Sequence, residues 1–240
     1  QNGVEAPAEA AATLGPERVM GGICKVLAFI AEPGVVEMQK EPAVFQFGEV
    51  YGPGGAVVNE SRSDRADRLS GCFAGCPGAS VSVAPSGTWT AIWDKAVIMC
   101  CMGPVGALCR SSLDVLCKIP ETRELLRAAM LEVASCAEKA GHLAEGQTGD
   151  GLVELHLGYL SNAKPGVTSS TLRDVVTGRP SELHQLTGGI RRAGQSLGVP
   201  TPTHDTVFAA LLPQELRARG EIAYELMGVP GGAPHVASAL

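Results

Sequence analysis

The segment SSTLRDVVTGRPSEL, residues 169–183, indicates how the helical half of this chain is arranged. Its pattern predicts a polar loop, a short turn of helix, a Gly178-Arg179-Pro180 break and the start of a new helix. Pro180 suits the first turn of a helix, because its missing N–H would be unpaired there in any case. Glu182 then lies where the positive end of the helix dipole favours a carboxylate. The local pattern leaves two roles open for Glu182, as a helix-capping acid or as part of an active site.

The composition describes a globular chain without a basic surface. Its 240 residues are 45% hydrophobic, which is enough to bury a sizeable core in one large or two small domains. The formal net charge of −6 argues against nucleic acid or an anionic membrane as a partner. The longest uncharged stretch, Ala96 to Cys109, is shorter than the roughly 18 apolar residues that a membrane span requires. We therefore expect no nucleic-acid or membrane partner, and any anionic ligand must be met by a local site.

Eight cysteines are spread through apolar segments of the chain. This pattern predicts buried, reduced side chains and no disulfide framework. Cys72-x3-Cys76 is the nearest approach to a metal-ligand spacing, and no Cys-His pair with zinc spacing accompanies it, so we expect no metal site. A reducing compartment makes the cytoplasm the expected location, and the start at Gln1 leaves organelle targeting open.

The first third of the chain is predicted to contain most of the β-structure. Val19–Ile30 is almost wholly apolar, which predicts one strand covered on both faces. After a Pro-Gly turn, Val35–Met38 and Val44–Val50 are predicted to be antiparallel strands added together at a sheet edge. A helix over Asp64–Phe73 and a short strand over Val81–Ala84 complete this part.

Helical patterns replace strands in the rest of the chain. Helices are predicted over Thr88–Met102, Glu121–Ala140, Gly151–Leu160, Pro180–Leu197 and Thr203–Arg219. The uncharged stretch is expected to be a core helix with a break near Gly103 and Pro104. The clearest helical period places four residues on one face, which predicts a central helix: Leu126, Met130, Val133 and Ala137.

The change from strands to helices divides the chain into units. Residues 1–84 are expected to form an α/β domain, and residues 85–227 are expected to form an all-helical domain. Residues 228–240 are rich in Pro, Gly and Ala and are expected to be a flexible tail.

Lys95 is the most informative single residue. It follows Trp93 and Asp94 at the head of the uncharged stretch, where partial desolvation would lower the pKa of its ammonium group toward the range useful for proton transfer. The alternative is a lysine whose stem packs on the core while its ammonium group reaches water. Position alone does not decide between them.

His204, at another predicted helix start, is expected in a capping or surface role.

A resemblance to a known family rests on motifs in three parts of the chain. They are Gln1-Asn2-Gly3, Trp93-Asp94-Lys95, and the set Ser169–Asp174, Gly178–Leu183 and Gly198–Thr203. Their order and spacing over about residues 1–220 resemble the ketopantoate reductases, which belong with the 6-phosphogluconate-dehydrogenase-like enzymes. The resemblance implies the fold class α/β plus all-α. A partial Rossmann-type NADP-binding domain would be followed by a 6-phosphogluconate-dehydrogenase-like helical C-terminal domain.

The resemblance also implies roles for four residues. Lys95 would be the general acid that protonates the ketone oxygen, and Glu182 would accept hydrogen bonds from Lys95 or the substrate and contact the cofactor. Ser170 would bind the substrate carboxylate, and Asn2 would contact the cofactor or the substrate carbonyl. The implied cofactor is NADPH, with no metal, and the implied reaction reduces a 2-oxo acid, 2-dehydropantoate, to (R)-pantoate in pantothenate biosynthesis. A homodimer is compatible with the resemblance.

Two departures from the family pattern bear on function. The positions one and two helical turns after Lys95, which hold asparagine in well-known members, hold Met99 and Gly103, so the expected substrate wall is more apolar. The G-x-G-x-x-G loop that places a pyrophosphate on a helix N-terminus does not occur in the sequence. The alternative function is therefore a truncated, non-catalytic helical module retained for dimerisation or partner binding.

Overall fold

A small β-rich part precedes a set of packed helices in the computed structural model of the chain, which describes residues 2–38 and 41–224. The β-rich part contains α1 (Ala6–Leu14), β1 (Met20–Lys25), β2 (Ala28–Glu32), β3 (Val35–Met38), β4 (Ala43–Glu49), α2 (Asp64–Cys72) and β5 (Ala79–Val83). The helical part contains α3 (Thr88–Cys109), α4 (Leu113–Lys118), α5 (Pro120–Lys139), α6 (Gly149–Ser161), α7 (Ser170–Val176), α8 (Leu183–Leu197) and α9 (Pro202–Ala218). This confirms the predicted fold class, α/β followed by all-α. The expected tail at 228–240 lies outside the described residues.

The strands form a three-stranded sheet and a separate hairpin. In the sheet, of order β1-β4-β5, β4 pairs antiparallel with β1 and parallel with β5. The hairpin consists of β2 and β3. The prediction that Val35–Met38 and Val44–Val50 lie together at a sheet edge is wrong, because the tight Pro33-Gly34 turn returns β3 onto β2. β4 instead lies in the centre of the sheet.

The single, doubly covered strand predicted over Val19–Ile30 is also wrong. The chain leaves β1 after Lys25 and begins β2 at Ala28, and the Ile30 side chain is 74% exposed. An apolar run is buried on both faces only where other elements cover it. Here α1 and α3 pack on β1, whereas the hairpin keeps apolar side chains at the surface.

Helix α3 is the central element of the helical part. It continues unbroken through Gly103 and Pro104, where the sequence predicts a break, and ends at Cys109, which is followed by Arg110 in the left-handed conformation. Packing of α5, α7, α8 and α9 against α3 outweighs the poor helix propensity of these two residues. By length and composition alone α3 could cross a membrane, but most of its residues are buried against the other helices.

Helix α5 carries the core face that the sequence predicts. Leu126, Met130, Val133 and Ala137 are all fully buried, so the predicted core face is confirmed, while α3 takes the central place that the sequence predicts for this helix. The helix packs on α3, α6, α8 and α9.

His204 is buried, so the predicted capping or surface role is wrong. Its Nδ1 atom lies 2.6 Å from Oε2 of Glu132 in α5, and its Nε2 atom lies 4.0 Å from Sγ of Cys101 in α3. Glu132 also accepts hydrogen bonds from the backbone N–H groups of Thr203 and His204, at 2.6 and 3.0 Å. Because α5 supplies the cap for α9, the His204 side chain is free to point into the core.

The cysteines are all free thiols but are not all buried. Cys100, Cys101 and Cys136 are buried, and burial raises the pKa of Cys136 to about 11. Cys72 and Cys76 are exposed, contrary to the prediction, because the end of α2 and the following turn lie at the surface.

Gly103 marks the close approach of α7 to α3. A Cβ atom at this position would lie 2.9 Å from Oγ1 and 3.2 Å from Cβ of Thr171. We therefore expect Gly103→Ala to destabilise the protein by about 1–3 kcal/mol, although alanine is otherwise the better helix former. Gly158 in α6 is the matched control, since a Cβ atom there meets nothing within 4 Å and Gly158→Ala should be stabilising. Urea unfolding measures the change in the free energy of unfolding for both variants. Changes of the same sign in Gly103→Ala and Gly158→Ala would contradict the close packing of α7 on α3.

Candidate active site

Glu182 does not cap a helix with its side chain. Helix α8 begins at Leu183, three residues later than the predicted start at Pro180, and Glu182 occupies the preceding position without a side-chain capping bond. Ser181 accepts the hydrogen bond from the N–H of Leu183 instead. The Glu182 carboxylate is therefore free to accept a hydrogen bond from Nδ2 of Asn2, at 3.1 Å.

A buried carboxylate fixes the loop that carries Glu182. Glu215 in α9 is only 3% exposed and accepts hydrogen bonds from the N–H of Ser181, at 3.1 and 3.0 Å, and from its hydroxyl, at 2.6 Å. Arg219 donates to Glu215 at 2.7 Å and to the carbonyl oxygen of Ser181 at 3.0 Å. Sequence reasoning missed this anchor, because a Glu and an Arg four residues apart on a helix also fit an exposed ion pair.

Two contacts hold the N-terminal segment against α8. Gly3 has φ +84°, and a Cβ atom there would lie 3.1 Å from the carbonyl oxygen of Gln185. Glu5 accepts two hydrogen bonds from Arg192, at 2.8 and 2.6 Å. These contacts bring Asn2 to Glu182 although 180 residues separate them. Gln1, the first residue of the predicted motif, lies outside the described residues.

Lys95 lies about two turns into α3 and is partly buried. Its pKa is lowered below the usual lysine value, chiefly because burial desolvates the ammonium group. The Glu182 carboxylate acts in the opposite direction, and the positive charge of Lys25 adds to the lowering. Desolvation outweighs the opposing charges, so this ammonium group is more acidic than a lysine in water. The proton-donating role of Lys95 stays a prediction.

Asp94, the residue before Lys95, links three elements. Its Oδ1 atom lies 2.9 Å from Nε2 of His156 in α6, and its Oδ2 atom accepts a hydrogen bond from Nζ of Lys25 at 3.4 Å. Burial by itself would raise the pKa of Asp94, but the hydrogen bond with His156 and the positive charges nearby lower it. The sequence does not indicate that Lys25 and His156 contact Asp94, because only the fold brings these residues together.

Ser170, another predicted site residue, is exposed at the start of α7. The neighbouring Ser169 caps that helix by accepting the N–H of Leu172 at 3.0 Å. Thr171, next along α7, is the residue that packs on Gly103 of α3. Asn2 donates a hydrogen bond to Glu182, and the Glu182 carboxylate acts on the charge of Lys95; we call these three residues the candidate site.

The candidate site contains charge but no metal-binding cluster. Within residues 2–38 and 41–224, no three His, Cys, Asp or Glu side chains are grouped so that they could hold a metal ion. Charged side chains at and beside the candidate site include Lys95 and Lys25 and the carboxylates of Glu182, Asp94 and Glu5. This arrangement can bind an anion and move a proton.

Residues 88–215 match the family model described as "Ketopantoate reductase PanE/ApbA C terminal". A curated 2-dehydropantoate 2-reductase from Mesorhizobium japonicum is 27% identical over 203 residues, which cover 82% of this chain and 55% of that protein. The chain thus spans about half the length of this relative.

Solved structures show the same fold. The crystal structure of 2-dehydropantoate 2-reductase from Methylococcus capsulatus has a TM-score of 0.70 and 27% identity, covering 90% of this chain and 69% of that one. A D-mandelate dehydrogenase solved with NADH and anilino(oxo)acetate has a TM-score of 0.72 and 17% identity, covering 91% and 67%. The second likeness concerns the fold alone.

Proposed function

Because the chain belongs to the ketopantoate reductase family, we propose that it carries the substrate-binding and proton-donating side of an NADPH-dependent 2-oxo acid reductase. The observation that carries the proposal is the contact of Asn2 with Glu182 beside a partly desolvated Lys95. The proposed reaction is the reduction of 2-dehydropantoate to (R)-pantoate in pantothenate biosynthesis. The names of the relatives from Mesorhizobium and Methylococcus support this choice of substrate.

Lys95 is the proposed general acid. Reduction of a 2-oxo acid needs a proton at the carbonyl oxygen as hydride reaches the carbonyl carbon. The Nζ atom of Lys95 supplies this proton, and its partial burial makes it a better donor to the developing alkoxide. The Glu182 carboxylate favours the charged form of Lys95, so the proton is in place before the reaction.

Asn2 and Glu182 are proposed to meet the reacting end of the cofactor. NADPH supplies the hydride when it is bound. Asn2 donates one N–H of its side-chain amide to Glu182, and within residues 2–38 and 41–224 its carbonyl oxygen and second N–H have no other side-chain partner, which leaves them available to a ligand. These groups fit a carboxamide or a substrate carbonyl. Ser170, exposed at the start of α7, remains the residue proposed from the family resemblance to donate to the substrate carboxylate.

The proposal is tested by steady-state assays of the protein expressed from its complete coding sequence. NADPH and NADH are each combined with 2-dehydropantoate, 2-oxoisovalerate and phenylglyoxylate, and oxidation of the cofactor is followed by absorbance. We expect turnover with NADPH and at least one of these 2-oxo acids. Absence of turnover with every pair would reject the proposal in favour of a non-catalytic helical module retained for dimerisation or partner binding.

A further inference from the structure

Strand β5 has one edge without a partner strand. In the sheet order β1-β4-β5 it pairs with β4 on one side, and within residues 2–38 and 41–224 no strand pairs with its other side. Its sequence, Ala79–Val83, contains no proline and no charged residue, and its register with β4 is regular. Prolines, charged side chains and bulges normally keep further strands away from a sheet edge. The β5 edge has none of these protections.

Backbone hydrogen bonds show which residues of β5 face the open edge. The carbonyl oxygen of Gly78, just before β5, and the N–H of Ala84, just after it, both form hydrogen bonds of 2.9 Å with β4. Backbone groups of successive residues point alternately to the two sides of a strand, so the even-numbered residues of β5 face β4. The N–H and C=O groups of Val81 and Val83 therefore point away from β4, and no described residue forms a hydrogen bond with them.

A groove of about 860 Å³ lies along this edge. Val81, Ser82 and Val83 line the groove and are only partly buried. Its other lining residues include two from α2 and two from the loop between α5 and α6, namely Asp67, Ser70, Leu143 and Glu145. An added strand at the β5 edge would therefore find room for its backbone, and α2 and the loop would contact its side chains.

The groove carries unbalanced negative charge. The charged residues that line it are Glu60, Asp67, Glu145 and Arg62. Arg62 is taken up by Asp67, because its Nε atom donates to the two carboxylate oxygens at 3.0 and 3.2 Å. No ion pair neutralises Glu60 or Glu145 in the part of the chain that the structure describes. Two like grooves would repel each other, so a second copy of this chain is a poorer occupant than a positively charged segment.

We propose that the β5 edge binds an extended, basic segment of a partner protein as an added strand. The backbone groups of Val81 and Val83 supply the main-chain hydrogen bonds, which give affinity. Side chains of a strand alternate between its two faces, so Lys or Arg at every second position brings several positive charges to one wall of the groove. Glu60 and Glu145 then select for these charges. This binding function does not depend on the proposed reductase activity.

Three hexapeptides test strand addition to the protein expressed from its complete coding sequence. The first alternates lysine and valine, and the second has glutamate in place of lysine. The third is the lysine peptide N-methylated at every residue, which keeps its charge but removes its backbone donors. NMR titration follows the amide signals of Val81 and Val83 and gives the Kd of each peptide.

We expect the lysine peptide to shift the amide signals of Val81 and Val83, and the N-methylated peptide to bind at least about tenfold more weakly. Absence of binding by the lysine peptide up to about 1 mM, or binding that leaves both amide signals unshifted, would overturn the proposal. Shifts of the same signals that depend on protein concentration without any peptide would show a second copy at the edge, and would overturn it too.

The role of the carboxylates is tested by the double variant Glu60→Gln with Glu145→Gln. Its control is Glu121→Gln with Glu124→Gln, which removes two exposed carboxylates from the far end of α5. We expect the wild type and the control to bind the lysine peptide at least about tenfold more tightly than the glutamate peptide, and the groove variant to lose most of this preference. Equal binding of the two peptides by the wild type, or an unchanged preference in the groove variant, would reject a basic segment as the occupant.

Discussion

Replacing Lys95 with alanine is expected to lower the rate of NADPH-dependent 2-oxo acid reduction by at least about a hundredfold, because a positioned general acid contributes about 10² to 10⁴ in rate. The fall should appear in kcat, since the proton moves as the alkoxide forms and not when the substrate binds. Steady-state kinetics of the protein from its complete coding sequence measure it.

Two controls separate proton donation by Lys95 from a packing role. Lys118→Ala removes an exposed lysine of α4 and should leave kcat unchanged. Added ethylamine should restore part of the lost rate to Lys95→Ala, since a free amine can occupy the space that the side chain leaves. Wild-type turnover in Lys95→Ala would remove Lys95 from the mechanism.

The largest loss of stability is expected from Glu215→Ala. This change leaves the N–H and hydroxyl of buried Ser181 without their acceptor, and it leaves the Arg219 guanidinium without its carboxylate. Removing one partner of a buried ion pair typically costs about 3–5 kcal/mol, and urea unfolding should show a loss of this size.

Glu154 in α6 is the matched control for Glu215. It also pairs with an arginine, Arg127, at 2.8 Å, but its side chain is 54% exposed. Glu154→Ala should therefore cost less than about 1 kcal/mol. Equal losses in the two variants would contradict the anchoring role of Glu215. Glu215→Ala should also lower turnover at temperatures where it remains folded, because the loop that holds Glu182 is no longer fixed.

Local patterns predicted those parts of the fold that depend on one element alone. The apolar period of α5 placed Leu126 and Met130 in the core, and both are fully buried. Sequence patterns gave wrong predictions where the burial of a residue depends on a neighbouring element of the fold. The apolar run ending at Ile30 resembles a covered strand, but no period reveals that the hairpin has a solvent-facing side. Likewise, Pro104 predicts a break that packing around α3 overrides.

The candidate site could be predicted only through family resemblance. Local rules did not decide whether Glu182 caps a helix or belongs to an active site, and its partner Asn2 is 180 residues away in the sequence. The residues that resemblance did not supply are those that support the site from a distance. In the sequence, Glu215 resembles one partner of an exposed ion pair. Lys25 and His156 can be recognised as partners of Asp94 only in the folded chain, where β1 and α6 both reach Asp94.

The pKa of Lys95 in the wild type and in Glu182→Gln tests most directly whether these residues form one site. It can be measured on this chain by NMR of isotopically labelled lysine side chains, with Glu154→Gln as the control for loss of a distant carboxylate. We predict a wild-type pKa below the usual value of 10.5, because the ammonium group is partly desolvated. We predict a still lower value in Glu182→Gln, because the lost carboxylate favoured the charged form. A Lys95 pKa that stays at its usual value, or does not respond to Glu182→Gln, would contradict the account.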